Sequence, residues 1–196
     1  MKLRTLALAS SALVIALALA GCSSSQNGMG MGSDSGRSST PSSASSFNDP
    51  DIAFATQMIP HHEQAVEMAD LILAKTGVDS RVTDLAKKIK AAQEPEIVIM
   101  TDWLTSWGQP SPMPMDGMTM NGMMSQDDMD ALKNGSGLDS SKLFLQQMIQ
   151  HHQGALDMAK EELTTGKNAE ALALAKRIVT NQTDEIATMK SLLTSF

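Results

Sequence analysis

The sequence predicts an all-α protein, a four-helix bundle made from two duplicated helical hairpins. Residues 54–69 and 144–159 are identical at nine of 16 positions with a constant offset of 90. A weaker match with an offset of 89 follows, so that the repeated unit is about 50 residues long. No alternating strand pattern occurs in the chain. The positions of the second match are Ala86, Lys87, Ile89, Gln93, Glu96, Ile97 and Met100 with Ala175, Lys176, Ile178, Gln182, Glu185, Ile186 and Met189.

Capping and stop residues set the predicted limits of the four helices. The first begins at Asp49-Pro50, an N-cap followed by proline at the first helical position, and ends near Gly77. The second opens near Asp79 or Ser80 and ends before Gly108. The third runs from about Asp139 to Gly166, and the fourth runs from about Asn168 almost to Phe196. Hairpin 1 therefore covers 49–107, a connection covers 108–138, and hairpin 2 covers 139–196.

The N-terminus has the pattern of a bacterial lipoprotein. Lys2 and Arg4 precede an apolar run that is short for a membrane span and that ends in Leu19-Ala20-Gly21-Cys22. The only cysteine therefore stands where a lipid is attached, which predicts a signal peptide over 1–21. Residues 22–47, rich in serine and glycine, are predicted to be a flexible tether to a bundle over 48–196. The expected location is the cell envelope, outside the cytoplasm.

Charge and cysteine content exclude two classes of function. The chain has 15 Lys and Arg against 22 Asp and Glu, a formal net charge of −7, whereas nucleic-acid binding needs a basic face. One cysteine allows neither an intramolecular disulfide nor a CxxC zinc or redox motif. Nucleic acid is therefore not an expected partner.

All four histidines lie in two His-His pairs, which occupy equivalent places in the two repeats. Helical spacing puts each pair on an otherwise apolar stripe with methionines, and puts a glutamine and a glutamate of the partner helix at the same level. Imidazole and thioether together suit copper, with Cu(I) favoured by the sulfur, although another transition metal stays open. The alternative is that His-Glu hydrogen bonds only fix the register of the bundle. The residues concerned are His61, His62, His151, His152, Met58, Met68, Met148, Met158, Gln93, Gln182, Glu96 and Glu185.

Residues 113–124 of the connection form a second candidate site. They contain six methionines with Gly, Pro and Asn between them and have no helical or strand period. Clustered thioethers on a mobile loop can capture a soft cation such as Cu(I) or Ag(I). A low-complexity linker is the alternative, and Met29 and Met31 on the tether look like a poorer copy. The six are Met113, Met115, Met118, Met120, Met123 and Met124.

The doubled Met-Ile-x-His-His segment resembles the mark of the domain-of-unknown-function 305 family. It occurs as residues 58–62 and again as residues 148–152, and the resemblance covers about residues 48–196. It implies a ferritin-like four-helix bundle and, as in some secreted or periplasmic members, a copper-binding role linked to copper tolerance. Copper ligation carries over to the four histidines and to Met58, Met68, Met148 and Met158. The methionine-rich connection lies outside the family's core motif.

The sequence thus predicts a lipid-anchored, extracytoplasmic copper protein that sequesters Cu(I) or transfers it, with a copper-handling protein as an expected partner. Glu96 and Glu185 are expected to orient the histidines or to ligate. A binding role is favoured over an enzymatic one, and no catalytic residue is assigned. The alternatives are a metal-dependent redox enzyme, such as a cuprous oxidase, and an interaction module whose histidines serve packing. The Glu-x-x-His motif of di-iron bundles is absent from the sequence.

Overall fold

A computed structural model describes residues 46–110, 112 and 121–196, and every regular element in these residues is a helix. Four long helices form the two predicted hairpins, which confirms the all-α bundle. A fifth, short helix in the connection was not predicted. The helices are α1 (Asp49–Leu73), α2 (Ser80–Ser106), α3 (Gln126–Asn134), α4 (Gly137–Thr165) and α5 (Ala169–Leu193). Within the described residues, no helix is long and apolar enough to cross a membrane.

Most helix ends lie within a few residues of their predicted positions. Asp79 and Asn168 cap α2 and α5 with their side chains, as expected. The N-cap of α1 is Asn48 rather than Asp49, because Asn48 and Asp51 bond reciprocally in a capping box. α4 begins at Gly137, two residues before the predicted start.

The described residues begin at Ser46, two positions before the predicted bundle. The ring of Phe47 stacks on that of Trp107 with 4.8 Å between centroids, and Trp107 stacks in turn on Trp103 at 5.9 Å. The last residue assigned to the tether therefore packs on the end of α2. Residues 22–45 of the tether, with Cys22, Met29 and Met31, and the predicted signal peptide lie outside the described residues.

The helices of each hairpin pack on each other, and α1 and α4 join the two hairpins. The core has two apolar clusters. One contains Phe54 and Met58 from the first half of α1 together with Ala159 from the second half of α4. The other contains Met68 from the second half of α1 and Phe144 from the first half of α4. α1 and α4 are therefore antiparallel, and their histidine pairs lie between the two clusters.

The short helix α3 is part of the core rather than an open loop. Met129 and Leu132 are buried in the second cluster, and the side-chain amide of Gln147 donates to the carbonyl oxygen of Asp128 at 2.9 Å. Ser125 and Asp128 form a capping box at its N-terminus. A nine-residue helix has little stability of its own, so that only this packing makes it form. The sequence analysis assigned no helix to the connection over 108–138, and α3 lies within it.

Candidate metal centre

His61 and His151 face each other at the centre of the bundle. Their ring centroids are 3.7 Å apart, with 41° between the ring planes, and their exposures are 0% and 1%. Neither Nδ1 nor Nε2 of either ring has a hydrogen-bond partner. Four buried nitrogens without partners are costly in an apolar core, whereas neutral imidazole nitrogen is a good metal ligand. We call these two residues the inner histidine pair.

The inner histidine pair is held in its neutral form. Burial, followed by the neighbouring histidines, lowers the pKa of His61 to about 3, and the Asn121 main chain beside the ring works weakly in the opposite direction. Burial, followed by the neighbouring histidines, also lowers the pKa of His151 well below its usual value. Neutral imidazole is the form that binds metals.

The other two histidines pair with the predicted glutamates. Nε2 of His62 lies 2.8 Å from Oε2 of Glu96, and Nε2 of His152 lies 2.6 Å from Oε2 of Glu185. An ionised carboxylate only accepts, so the imidazole N–H donates in both pairs. This leaves Nδ1 of each ring buried and without a hydrogen-bond partner. The two outer His-Glu pairs are equivalent in the two hairpins and fix the orientation of their rings.

Two glutamines add buried polar groups to the helices that carry the glutamates. Gln93 and Gln182 are 3% and 4% exposed, and the Oε1 atom of each has no hydrogen-bond partner. Each lies three residues before its glutamate and so shares its helix face. Of the twelve buried side-chain N and O atoms without partners in the described residues, six belong to the histidines and two to these glutamines; the other four lie on Ser140, Gln147 and Glu162 of α4.

The four helix methionines named by the sequence lie on both sides of the histidines. Met58 and Met158 pack in the first apolar cluster, and Met68 and Met148 pack in the second. Met58, Met68 and Met148 are fully buried, and Met158 is partly buried. They serve the core in this conformation, and their part in ligation stays a prediction.

The methionine-rich segment 113–124 departs from the predicted mobile loop at its last two residues. Met124 is 6% exposed and belongs to the second apolar cluster, so it is a core residue rather than an exposed thioether. Met123 is half-buried. Met113, Met115, Met118 and Met120 lie outside the described residues.

The donor atoms of the inner histidine pair suit a soft ion of low coordination number. No three His, Cys, Asp or Glu side chains of the described residues are grouped so as to hold a metal ion. A structural zinc site takes four such ligands, which this arrangement does not provide. Two imidazoles with thioethers nearby in the core are a donor set that soft copper accepts.

The family profile described as "Domain of unknown function (DUF305)" matches residues 51–193. The chain belongs to the DUF305 family. Solved DUF305 structures have the same fold. A DUF305 fragment from Deinococcus radiodurans is 31% identical with a TM-score of 0.70, over 76% of this chain and 98% of that one. A DUF305 protein from Streptomyces coelicolor, described as secreted, is 34% identical with a TM-score of 0.69, over 74% and 93% of the two chains.

A third DUF305-like structure is CopM in its Cu(II)-bound form. It is 32% identical with a TM-score of 0.65, over 74% of this chain and 96% of that one. CopM has also been solved in Cu(I)-bound and silver-bound forms. A comparison with curated proteins gives no match.

Sequence reasoning missed two residues beside the inner histidine pair, Gln64 and Gly154. They occupy equivalent positions in the two repeats, 90 residues apart, and they differ. Both contact the end of the methionine-rich connection. The sequence did contain a signal: the two repeats differ at the position two residues after each His-His pair.

Proposed function

We propose that this DUF305 protein binds Cu(I) outside the cytoplasm and either sequesters it or passes it on. The observation that carries the proposal is the inner histidine pair, whose four buried ring nitrogens have no hydrogen-bond partner. A core that keeps such nitrogens neutral and unpaired meets the requirements of a metal ligand better than those of packing. The likeness to the copper-bound and silver-bound forms of CopM supports the same chemistry.

The residues of the chain have separate roles in this proposal. His61 and His151 are the ligands, and Glu96 and Glu185 hold His62 and His152 in orientation beside them. Buried thioethers of the helix methionines complete the set when the ion is bound. The methionines of residues 113–120 are the first to capture the ion, since thioether sulfur prefers Cu(I).

The test is an anaerobic Cu(I) titration against a chromophoric chelator. The protein is the chain from residue 22 with Cys22→Ser, which removes the competing thiol. We expect competitive binding that is lost when all four histidines are changed to Ala, and is weakened when Met113, Met115, Met118 and Met120 are changed to Leu. Gln153→Ala, at an exposed residue beside His152, is the matched control and should bind as the parent does.

Two results would overturn the proposal. A parent chain that fails to compete for Cu(I) would leave the histidines with a packing role or with another metal. Equal binding by the four-histidine variant, with helical content preserved in its circular dichroism spectrum, would place the ion elsewhere. An enzymatic role would require turnover with oxygen, which the same Cu(I)-loaded sample can be used to measure.

The location is tested separately. We propose that the chain is anchored through a lipid on Cys22 after removal of residues 1–21, with the Ser- and Gly-rich tether between the anchor and the bundle. Cys22→Ser should move the protein from the membrane fraction to the soluble fraction and abolish incorporation of labelled fatty acid. Ser25→Ala is the control. Retention of Cys22→Ser in the membrane, together with removal of the signal peptide, would refute a lipid anchor.

A further inference from the structure

Gln64 on α1 and Gly154 on α4 are related by the internal repeat, and both contact residues 121–124. The first His-His pair is followed by Glu63-Gln64, and the second is followed by Gln153-Gly154. The repeat is therefore asymmetric at this position. A single connection joins the two hairpins, and it packs against these two different residues.

The side chain of Gln64 holds Met124 through two hydrogen bonds. Its Nε2 donates to the carbonyl oxygen of Met124 at 2.9 Å, and its Oε1 accepts from the Met124 backbone N–H at 2.7 Å. A side-chain amide that pairs with both main-chain groups of one residue replaces the partners that a strand or helix would supply. Met124 is thereby fixed against α1.

Gly154 provides the space for Asn121 and Gly122 on the other helix. A Cβ atom at position 154 would overlap with the carbonyl oxygen of Asn121 and lie 2.8 Å from Cα of Gly122. Gly122 has φ +86° and would itself place a Cβ 2.8 Å from Cα of Gly154, so both positions need glycine. Nδ2 of Asn121 donates to Oδ2 of Asp157, one turn further along α4, at 3.0 Å.

Residues 121–124 therefore cross from α4 to α1 beside the inner histidine pair. Gln64 and Gly154 each lie three residues after a member of the pair, His61 or His151. A Cβ at Gly122 would also lie 3.0 Å from the carbonyl oxygen of Gln150, the residue before His151. The Asn121 main chain lies beside the His61 ring. We call residues 121–124 the cover segment.

We propose that the cover segment closes the route by which a metal ion reaches His61 and His151, and that Gln64 and Gly154 are positioning residues that set the rate of exchange. The metal part rests on the function proposed above. The closure itself does not, because the burial of both rings is a property of the fold.

Opening the bundle at the cover segment requires fewer contacts to break than separating the helices. Residues 121–124 lie outside the helices. The side-chain hydrogen bonds named above, two to Gln64 and one to Asp157, hold them in place. Separating α1 from α4 would instead expose the two apolar clusters of the core. Displacing the segment loses three side-chain hydrogen bonds and the buried contacts of Met124, which is less than opening both clusters.

The experiment measures access to the rings first without metal and then with it. The chain from residue 22 with Cys22→Ser is treated with diethyl pyrocarbonate, and modification of each histidine is followed by mass spectrometry. Ag(I) exchange is then followed by stopped flow. The variants are Gln64→Ala and Gly154→Ala, with the exposed Gln153→Ala as control. Gly154→Ala improves helix propensity within α4, so that displacement of the segment need not unfold the bundle.

We expect both variants to raise the modification rate of His61 and His151 about tenfold, since each loses hydrogen bonds or space that holds the segment. Ag(I) association and dissociation should accelerate together, with affinity changed by less than threefold. His62 and His152, which face the glutamates, are internal references. Unchanged modification of the inner pair in both variants would overturn the inference. Faster modification without Ag(I) binding would uphold the cover and refute the proposed metal function.

Discussion

His61→Leu is expected to stabilise the metal-free protein, although it removes a central residue of the candidate site. The wild-type ring has two buried nitrogens without hydrogen-bond partners. Each such group costs about 1–3 kcal/mol, and leucine of similar volume removes both. Repacking against His151 offsets about 1–3 kcal/mol. The net expectation is a gain of roughly 2 kcal/mol in the free energy of unfolding, or roughly 4–8 °C in Tm for about 150 residues.

The adjacent substitution His62→Leu provides the matched control, because its expected sign is opposite. His62 donates to Glu96 at 2.8 Å, and that carboxylate is only 15% exposed on its side chain. Removing the donor leaves a half-buried charge without its partner and should lower the free energy of unfolding by about 1–2 kcal/mol. Comparing His61→Leu with His62→Leu therefore distinguishes the effect of removing an unpaired ring from that of removing a hydrogen-bonded one.

The assay is urea denaturation at pH 7, followed by circular dichroism, with a chelator present and then with Ag(I). At a free metal concentration 100 times the Kd, the wild type should gain about 2.7 kcal/mol, and His61→Leu should gain much less. If His61→Leu is less stable than the wild type without metal, and resembles His62→Leu, the nitrogens of His61 are satisfied in solution. In that case the metal-free fold does not leave these nitrogens unpaired and available to a metal ion.

Three further predictions concern the rest of the fold. Leu132→Ala, at a fully buried residue of α3, should lower the free energy of unfolding by about 2–5 kcal/mol in urea, whereas Leu138→Ala, 53% exposed, should change it by less than about 0.5. Equal effects would mean that α3 is not docked. Asp51→Ala should cost about 2–4 kcal/mol by the same measurement, because Asp51 accepts the backbone N–H groups of Lys167 and Asn168 at 2.9 Å. A loss below 0.5 kcal/mol would contradict this. Burial and the neighbouring Asp51 raise the pKa of Glu162 from 4.5 to about 8, so that the folded state binds a proton that the unfolded state releases. The free energy of unfolding should therefore fall as pH rises from about 4.5 to about 8. Glu162→Gln should remove that slope. If the free energy of unfolding of the wild type and of Glu162→Gln changes in parallel with pH, Glu162 is not its source.

The fold was predictable because its signals are local and occur twice. The repeated His-His segment, the spacing of apolar residues and the capping residues Asp79 and Asn168 placed the four long helices. The missed helix α3 has one local signal, the capping box of Ser125 and Asp128, but it lies outside the repeat and is only nine residues long. Its formation depends on Met129 and Leu132 reaching an apolar cluster whose other members are distant in the chain.

The sequence predicted which residues belong to the candidate site better than it predicted how they are arranged. Helical periodicity put the four histidines inside and the two glutamates level with them, and the structure pairs Glu96 with His62 and Glu185 with His152. Periodicity did not say which histidine of each pair meets its glutamate. That depends on the rotation of each helix and on the approach of α1 to α4.

The sequence by itself determined that the protein is a duplicated helical bundle with all its histidines at equivalent core positions. Those properties follow from residue spacing along the sequence, because a helix places residues of a given spacing on the same face. Only the tertiary structure decided that the rings of His61 and His151 contact each other without hydrogen-bond partners, and that residues 121–124 pack on Gln64 and Gly154 beside them. These contacts join residues that are 32 to 90 positions apart in the chain, so that they exist only once the core has packed.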